Sequence, residues 1–539
     1  MRAWLYGRWK KSGLLADFRS RIHSYYSVIY PMREELAEKK TVSVAFICIA
    51  VFIAGGGFLM SFGGRDASYV VFCLCILILL QRYVTYAIFS REAVKLKEEM
   101  LVYLTRLTSS FAADKDLEEA LGRAVDEKQP RMANHGNLFC ELMDKNALSG
   151  EREEYLSQYV RNISTTHLAE LYMICEMTDY YGDGRINGFS RFITNINYIK
   201  ENIREELLLG RKRKNEFAML AVISFLPFFL MRPIEAWARS VADSLLPYYE
   251  GRIELFGTAM VFIFTSVCFY VIQLLEFPSE FETVRVEKSV PVFMKKADEK
   301  ISDLIRKIIY ANYTKSLKKS VFIEEATGEG LVEYYRRRLL WAAAGFLLTA
   351  FVCGEAMGLR ARVTAPAILA GAVSSFVPYA FVIIRHNAFA GRKKGEILVL
   401  ETVILILSGI KKITVDEILK NMEDFSVCYK KRIEKAVDLY QEKGTESLAE
   451  FVEEEKDDKI AHLFEGLMAC DRVEPDEAFT DLKEDRAYYM AILNEEGEFA
   501  MKNEAALAKM LSFLPFFAVV LIKLVIPFVL DGLDKIGSF

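Results

Sequence analysis

Motifs that would carry catalysis or cofactor binding are missing from this 539-residue chain. There is no Gly-x-x-x-x-Gly-Lys-Ser/Thr loop, because Gly55, Gly56 and Gly57 lie inside an apolar run with no lysine after them, so the chain is not itself a P-loop ATPase. No His-Glu-x-x-His pair and no Gly-x-Ser-x-Gly elbow occurs. The nine cysteines form no Cys-x-x-Cys pair, and Cys48, Cys73, Cys75, Cys268 and Cys353 sit in apolar runs, which argues against a disulfide framework. His23, His135, His167, His386 and His462 are scattered, so neither a metal nor any other cofactor is expected, and the chain reads as no enzyme. A net charge of −4, from 69 Lys/Arg and 73 Asp/Glu, gives no reason to expect nucleic acid as a partner. Strand-period alternation and βαβ order are absent as well. The first thirty residues lack the apolar core of a signal peptide.

What the chain has is apolar residues in long blocks. They make up 52% of it and alternate with dense mixed-charge blocks. A bilayer core needs about 20 apolar residues in a helix. Val42–Phe62, Tyr69–Phe89, Leu255–Leu275, Leu339–Met357, Thr364–Ile384 and Met510–Leu530 meet that length. Phe217–Met231 is followed after fifteen residues by Arg232 and Pro233, and reads either as a seventh span or as a re-entrant segment. Ahead of the first span, Leu15, Phe18, Ile22, Tyr25 and Ile29 recur at helical spacing among arginines. That stretch fits a helix lying on the membrane surface or one packed on the protein's own polar domain. Lys and Arg accumulate at 2–40, 91–97, 211–214, 295–319, 336–338 and 392–394, but are few near Arg65 and Arg360. Excess basic charge marks the cytoplasmic side, which puts the N-terminus and both polar blocks inside and the tail Asp531–Phe539 outside.

The chain also repeats itself. Lys214–Asn215–Glu216 followed by Ser224–Phe225–Leu226–Pro227–Phe228–Phe229 recurs as Lys502–Asn503–Glu504 followed by Ser512–Phe513–Leu514–Pro515–Phe516–Phe517, at an offset of 288 throughout. Asp116–Leu117–Glu118–Glu119 corresponds to Thr414–Val415–Asp416–Glu417 at an offset of 298, and each stretch reads as a capping box. The difference in offset predicts lost sequence in the second copy, around the Tyr181–Gly184 turn. Leu101, Leu104, Leu107 and Phe111, then Leu117, Leu121 and Val125, give apolar helix faces. Val399, Val403, Ile406, Ile410, Ile418 and Met422 do the same in the second block.

The fold expected is therefore all-α: a polytopic membrane protein of two tandem repeats, each with transmembrane helices and a cytoplasmic helical bundle. An amphipathic region (1–41) precedes a transmembrane pair (42–90), the first bundle (91–216), a second pair (217–275) and a cytoplasmic connector (276–338), in which Val292–Ile309 reads as another surface helix. A third pair (339–385), the second bundle (386–508) and a C-terminal span with its short tail (509–539) follow.

This pattern resembles the type II secretion system F domain, found in the inner-membrane platform proteins of type II secretion, type IV pilus and tight-adherence (Tad) systems. The two spans ahead of each bundle are most like the Tad branch, and the chain is similar to two such proteins fused end to end. The resemblance covers about 42–275 and 339–530. The family often carries glycine in the turn before the capped helix, where Asp114 and Lys412 stand here, with Gly409 nearby. The resemblance implies a multi-pass protein of the bacterial plasma membrane, bathed in membrane lipid, that couples a cytoplasmic secretion ATPase to the extraction and assembly of pilin-like subunits. It leaves self-association open. A secondary transporter or a membrane-bound sensor or scaffold is the alternative.

Several residues stand out as candidates for structure or coupling. Pro227 and Pro515 read as hinges or, preferably, as static kinks. Lys523 lies mid-way along the last span, and Glu235 holds the matching position in the first copy. Ionisable groups in a membrane are costly, so a Glu235–Lys523 contact between the halves is one reading. Lys523 snorkelling with Glu235 in an external loop is the other, and the sequence leans to it. The two Lys-Asn-Glu triplets (Lys214, Asn215, Glu216; Lys502, Asn503, Glu504) either brace the bundle against the basic cluster, touch the ATPase, or are charged helix ends. Tyr181–Gly182–Asp183–Gly184 reads as a turn.

Overall fold

The computed structural model describes residues 16–31, 33–62, 67–143, 166–186, 188–241, 243–249, 252–277, 330–351, 374–410, 413–454 and 458–537, with Tyr6 and a few positions between 305 and 372 besides. The first half runs α1 (Ala16–Ile29), α2 (Glu34–Phe62), α3 (Ala67–Asp114), α4 (Leu117–Ala124), α5 (Pro130–Met143) and α6 (Thr166–Tyr181). A two-strand hairpin, β1 (Arg185–Ile186) and β2 (Phe189–Ser190), leads into α7 (Arg191–Phe217), α8 (Leu220–Ile223), α9 (Leu226–Val241), a 3-10 turn (Asp243–Tyr248) and α10 (Arg252–Glu276). The second half runs α11 (Leu331–Phe351), α12 (Val377–Ser408), α13 (Val415–Phe425), α14 (Lys430–Lys443), α15 (Glu446–Glu454), α16 (Asp458–Ala469), α17 (Pro475–Ala478) and α18 (Thr480–Val520). One π-helical turn (Leu521–Val525) then joins α18 to α19 (Ile526–Gly537).

Among the described residues five helical stretches are long and apolar enough to cross a bilayer: Glu34–Gly57, Phe72–Asp114, Arg191–Val241, Gly257–Glu276 and Met490–Val529. Their outward side chains, such as Phe46, Ile53, Ile78, Phe513 and Phe517, are exposed as a lipid-facing surface requires. The chain is membrane-embedded and, among the described residues, all-α save for two short strands that the sequence did not announce. The spans expected at 339–357 and 364–384 fall partly outside the described residues, as does most of 292–309. The boundaries at 91 and 386 mark no break. α3, of 48 residues, and α12, of 32, carry an apolar stretch straight into the polar block.

The apolar faces read from the sequence are buried. Leu104, Leu107 and Leu121 of the first polar block and Val403, Ile406 and Ile418 of the second are at most 1% exposed. They belong to one continuous hydrophobic cluster, so the two blocks share a core. α1 turns Ile22, Tyr25, Tyr26 and Ile29 onto α2 and α3, and the Tyr25 hydroxyl donates to the Phe89 carbonyl (2.6 Å). Its apolar face is therefore covered by protein, which corrects the membrane-surface reading.

Capping sets the short helices. Thr414 and Glu417 form a complete capping box on α13. Asp116 caps α4 by accepting from the Glu119 amide, but the Glu119 carboxylate pairs with Arg123 instead of closing the box. α3 ends on Lys115 at φ 57°, so the left-handed position is Lys115 and not Asp114. A second kind of cap reaches across each block. Glu396 of α12 accepts from the amides of Val427, Cys428 and Tyr429 (2.9, 2.6 and 2.9 Å) at the start of α14. Glu99 of α3 accepts from those of Arg131 and Met132 (2.9 and 3.1 Å) at the start of α5. The connectors 182–190 and 470–479 are nearly equal in length, where a shorter second one was expected from the sequence.

Candidate functional site: the seam between the halves

α7 and α18 lie side by side, and each runs on toward the apolar end of its half. Every candidate residue from the sequence lies along this seam or its continuation.

At the end remote from the membrane the seam holds a buried cation. Arg486 of α18 is 5% exposed, and its guanidinium lies 4.5 Å from the centre of the Tyr198 ring. It donates to the Asn202 side-chain oxygen and the Thr402 hydroxyl, both at 3.2 Å. Buried Glu401 lies in its field, and burial raises that carboxyl although Arg486 opposes the shift. The next cluster is His167, whose Nδ1 lies 3.0 Å from Glu170 and whose Nε2 lies 3.1 Å from Glu206. Lys97 closes the set at 2.6 Å from Glu206. Burial alone would depress the imidazole, but Glu206 and Glu170 override it and push His167 up to about 10. It is held as an imidazolium. Neither cluster was found from the sequence, where these residues look like members of ordinary charged helices.

Toward the membrane a ladder of ion pairs follows. Asn494 donates to Glu205 (3.0 Å), Lys212 pairs with Glu498 (2.7 Å), Arg213 with Glu504 (2.9 Å) and Lys509 with Glu216 (2.6 Å). The Lys-Asn-Glu triplets therefore divide. Glu216 and Glu504 bridge the halves, Lys502 pairs within its own helix to Glu498 (3.1 Å), and Lys214, Asn215 and Asn503 are exposed. Arg213 also donates to the Leu275 carbonyl (2.6 Å), which ties the seam to the last turn of α10. Solvent-exposed pairs contribute only about 0.2–1 kcal/mol each, so the ladder fixes register more than it adds stability.

The prolines then part company. α7 stops at Phe217, Met219 takes φ 65°, and α8 and another turn intervene before α9. Pro227 stands in the first turn of α9, where no intrahelical donor is lost. Pro515 lies inside α18, which continues unbroken to Val520. The Phe217–Met231 segment is thus a broken helix in the first half, opposite a continuous one in the second.

The seam ends in an ionic cluster. Lys523 Nζ lies 2.5 Å from Glu235 Oε1, and both side chains are 3% exposed. It also donates to the Thr258 hydroxyl (2.8 Å) and the Glu254 carbonyl (3.3 Å). Arg232 stands 3.4 Å from both Glu235 and Glu254. Lys523 occupies the π turn; Pro527, four residues on, has no N–H to offer its backbone carbonyl, and the Tyr249 hydroxyl donates to that oxygen (2.6 Å). Gly257 suits the close approach, because a Cβ there would lie 3.2 Å from Ile522 Cγ2, tighter than most real contacts. The lysine does not snorkel, and Glu235 is in a buried contact rather than an external loop. Nor is Lys523 mid-span: its partners Glu254 and Thr258 open α10, at the end opposite Arg213 and the polar blocks. α19 also carries the chain helically to Gly537, where a short tail was expected, and Asp531 accepts from Ser244 (3.0 Å).

Among the described residues no group of His, Cys, Asp and Glu is arranged to hold a metal ion. What the arrangement does chemically is bind one half to the other by charge, from the polar blocks through to the far end of the spans. Comparison with family models, curated proteins and solved structures returned no match to this chain.

Proposed function

We propose that the chain is the membrane platform of a pilus-assembly or secretion machine of the type II or tight-adherence kind, made of two duplicated units fused end to end. Both polar blocks face the cytoplasm, where they receive force from a secretion ATPase, and the spans pass it to pilin-like subunits in the membrane. The observation that carries this reading is the seam. Two polar blocks sharing one core continue through ion pairs into a buried Glu235–Lys523 contact near the far end of the spans. Such a body moves as a unit and transmits displacement across a bilayer. The duplication draws further support from Glu99 and Glu396, each of which caps the third helix of its block from the first. The basic clusters at 91–97 and 211–214 support a cytoplasmic position for the blocks.

Purification from native membranes in mild detergent, with mass spectrometry of what accompanies the chain, tests the reading. A hexameric secretion ATPase and pilin-like subunits are expected. Recovery of the chain alone, under conditions that keep other complexes intact, would contradict it.

A further inference from the structure

α10 carries buried polar side chains that the ionic seam does not use. Thr265 and Gln273 are fully buried. The Thr265 and Ser266 hydroxyls and both polar atoms of the Gln273 side chain, Nε2 and Oε1, have no hydrogen-bond partner among the described residues. Polar side chains inside a membrane usually act as glue, each bonded across a helix interface. These four atoms are not. An unpaired amide or hydroxyl is costly in hydrocarbon, and polar groups kept at that depth mark proton or ion pathways.

Their placement is ordered. At about 100° per residue, Glu254, Thr258, Thr265, Ser266, Gln273 and Glu276 fall within about 120° of the helix circumference. Met260, Ile263, Phe264 and Val267, on the opposite side, are the exposed, lipid-facing residues. Glu254 to Glu276 spans about 33 Å, enough to cross a bilayer core. Charged groups stand at both ends. Thr258 accepts from Lys523 (2.8 Å) and donates to Glu254 (3.3 Å), in the cluster that holds Glu235. At the other end Tyr83 donates to Glu276 (3.1 Å), next to the Leu275 carbonyl that Arg213 joins to Glu504.

α18 is the facing wall. Lys523 beside Gly257 and Glu504 beside Leu275 set α18 and α10 antiparallel and fix their register. At the level of Gln273 the buried residues of α18 are therefore Ala505 and Ala508, with Ser512 and Pro515 following toward Thr265. No large side chain of α18 is buried along that strip. Pro515 has no N–H, so the Leu511 carbonyl loses the donor a regular helix would give it and adds an acceptor at this level.

We propose that the α10–α18 seam is a proton path across the membrane. Protons pass between the Glu235–Lys523 cluster and Glu276 along a file of water held by Thr258, Thr265, Ser266 and Gln273. The steps from Thr258 to Thr265 and from Thr265 to Gln273 are about 10 and 12 Å, each bridged by about three waters at hydrogen-bond spacing. Each transfer breaks one O–H or N–H bond and forms another. The net change is one proton moved from one face to the other, driven by the transmembrane gradient. A metal cation does not fit, because α10 has no carboxylate between Glu254 and Glu276, and Lys523 repels cations at one mouth while it can give and take a proton. The path depends on this seam alone and holds whether or not the chain is a pilus platform.

The full-length chain reconstituted in phosphatidylethanolamine–phosphatidylglycerol vesicles with a trapped pH-sensitive dye tests the proposal, with a valinomycin-set potassium potential as the driving force. Internal acidification at least tenfold faster than in protein-free vesicles is expected. Thr265→Val and Gln273→Leu should each slow it at least fivefold without lowering the melting temperature, since each removes an unpaired group. Thr265→Ser and Gln273→Glu should keep the rate within twofold, and lipid-facing Val267→Ala should leave it unchanged. Thr265→Val is nearly isosteric and carries the test alone if Gln273→Leu does not fold. Acidification no faster than in protein-free vesicles would overturn the proposal. So would a rate that Thr265→Val leaves intact, one that Val267→Ala slows as much, or a flux carried by sodium in place of protons.

Discussion

His135 and His167, both buried in the first polar block, respond to pH in opposite senses. His135 is fully buried, and burial pushes it down to about 3 against the pull of the Ile29 carbonyl. The folded state then binds fewer protons than the unfolded one between about 3 and about 6.5, so this contribution is present above about 6.5 and lost as pH falls. His167, pushed up to about 10, contributes fully below about 6.5 and loses its share as pH rises through 10. Denaturation midpoints across this range should show wild type losing its advantage over His167→Gln on the alkaline side. On the acid side, His135→Gln should be less sensitive to falling pH than wild type. Backbone strain gives a third expectation. Lys115 holds a left-handed conformation that costs a side-chain-bearing residue about 1–2 kcal/mol, so Lys115→Gly should stabilise by about 1 kcal/mol in the same assay. At this scale the sequence was legible where chemistry is unusual. An ionisable residue in an apolar run singles out Lys523. It was illegible where an ordinary residue takes an unusual partner, as with His167 or Arg486.

Helices and their limits were the most legible features, because 3.6-residue periodicity and Thr414–Glu417 capping are local signals. The caps by Glu99 and Glu396 are not local. Each reaches a helix start about thirty residues on, and a Glu in a mixed-charge helix looks like surface. Removing the Glu396 carboxylate leaves three amides at the start of α14 without their acceptor, so Glu396→Ala should cost about 2–3 kcal/mol and Glu417→Ala less. Thermal unfolding of the two variants side by side would show the order. The π turn at 521–525 and the break at 218–225 were equally hidden: a proline follows each within two residues (Pro527 and Pro227), but Pro515 lies inside an unbroken helix, so the residue alone does not announce a break. The twin Ser-Phe-Leu-Pro-Phe-Phe segments illustrate the limit. The proline of the segment stands in the first turn of a new helix in one half and inside a continuing helix in the other.

Taken whole, the molecule joins its halves three times: in a shared apolar core, in an ion-pair ladder, and in the cluster around Lys523. The first two face water at their rim, and loss of any one pair there is tolerable. The third does not, and a charge left alone in it is expensive to keep buried. Sequence matching between the halves identified the two members of the last pair and offered their contact as one reading, but leaned to the other, because contact depends on how α9, α10 and α18 cross. A double-mutant cycle on Glu235→Gln and Lys523→Met, read as unfolding free energy in detergent, tests the join directly. Each single substitution is predicted to cost about 3–5 kcal/mol, and the double to recover most of that loss. Additive costs, within about 0.5 kcal/mol, would contradict the claim that this pair couples the two halves.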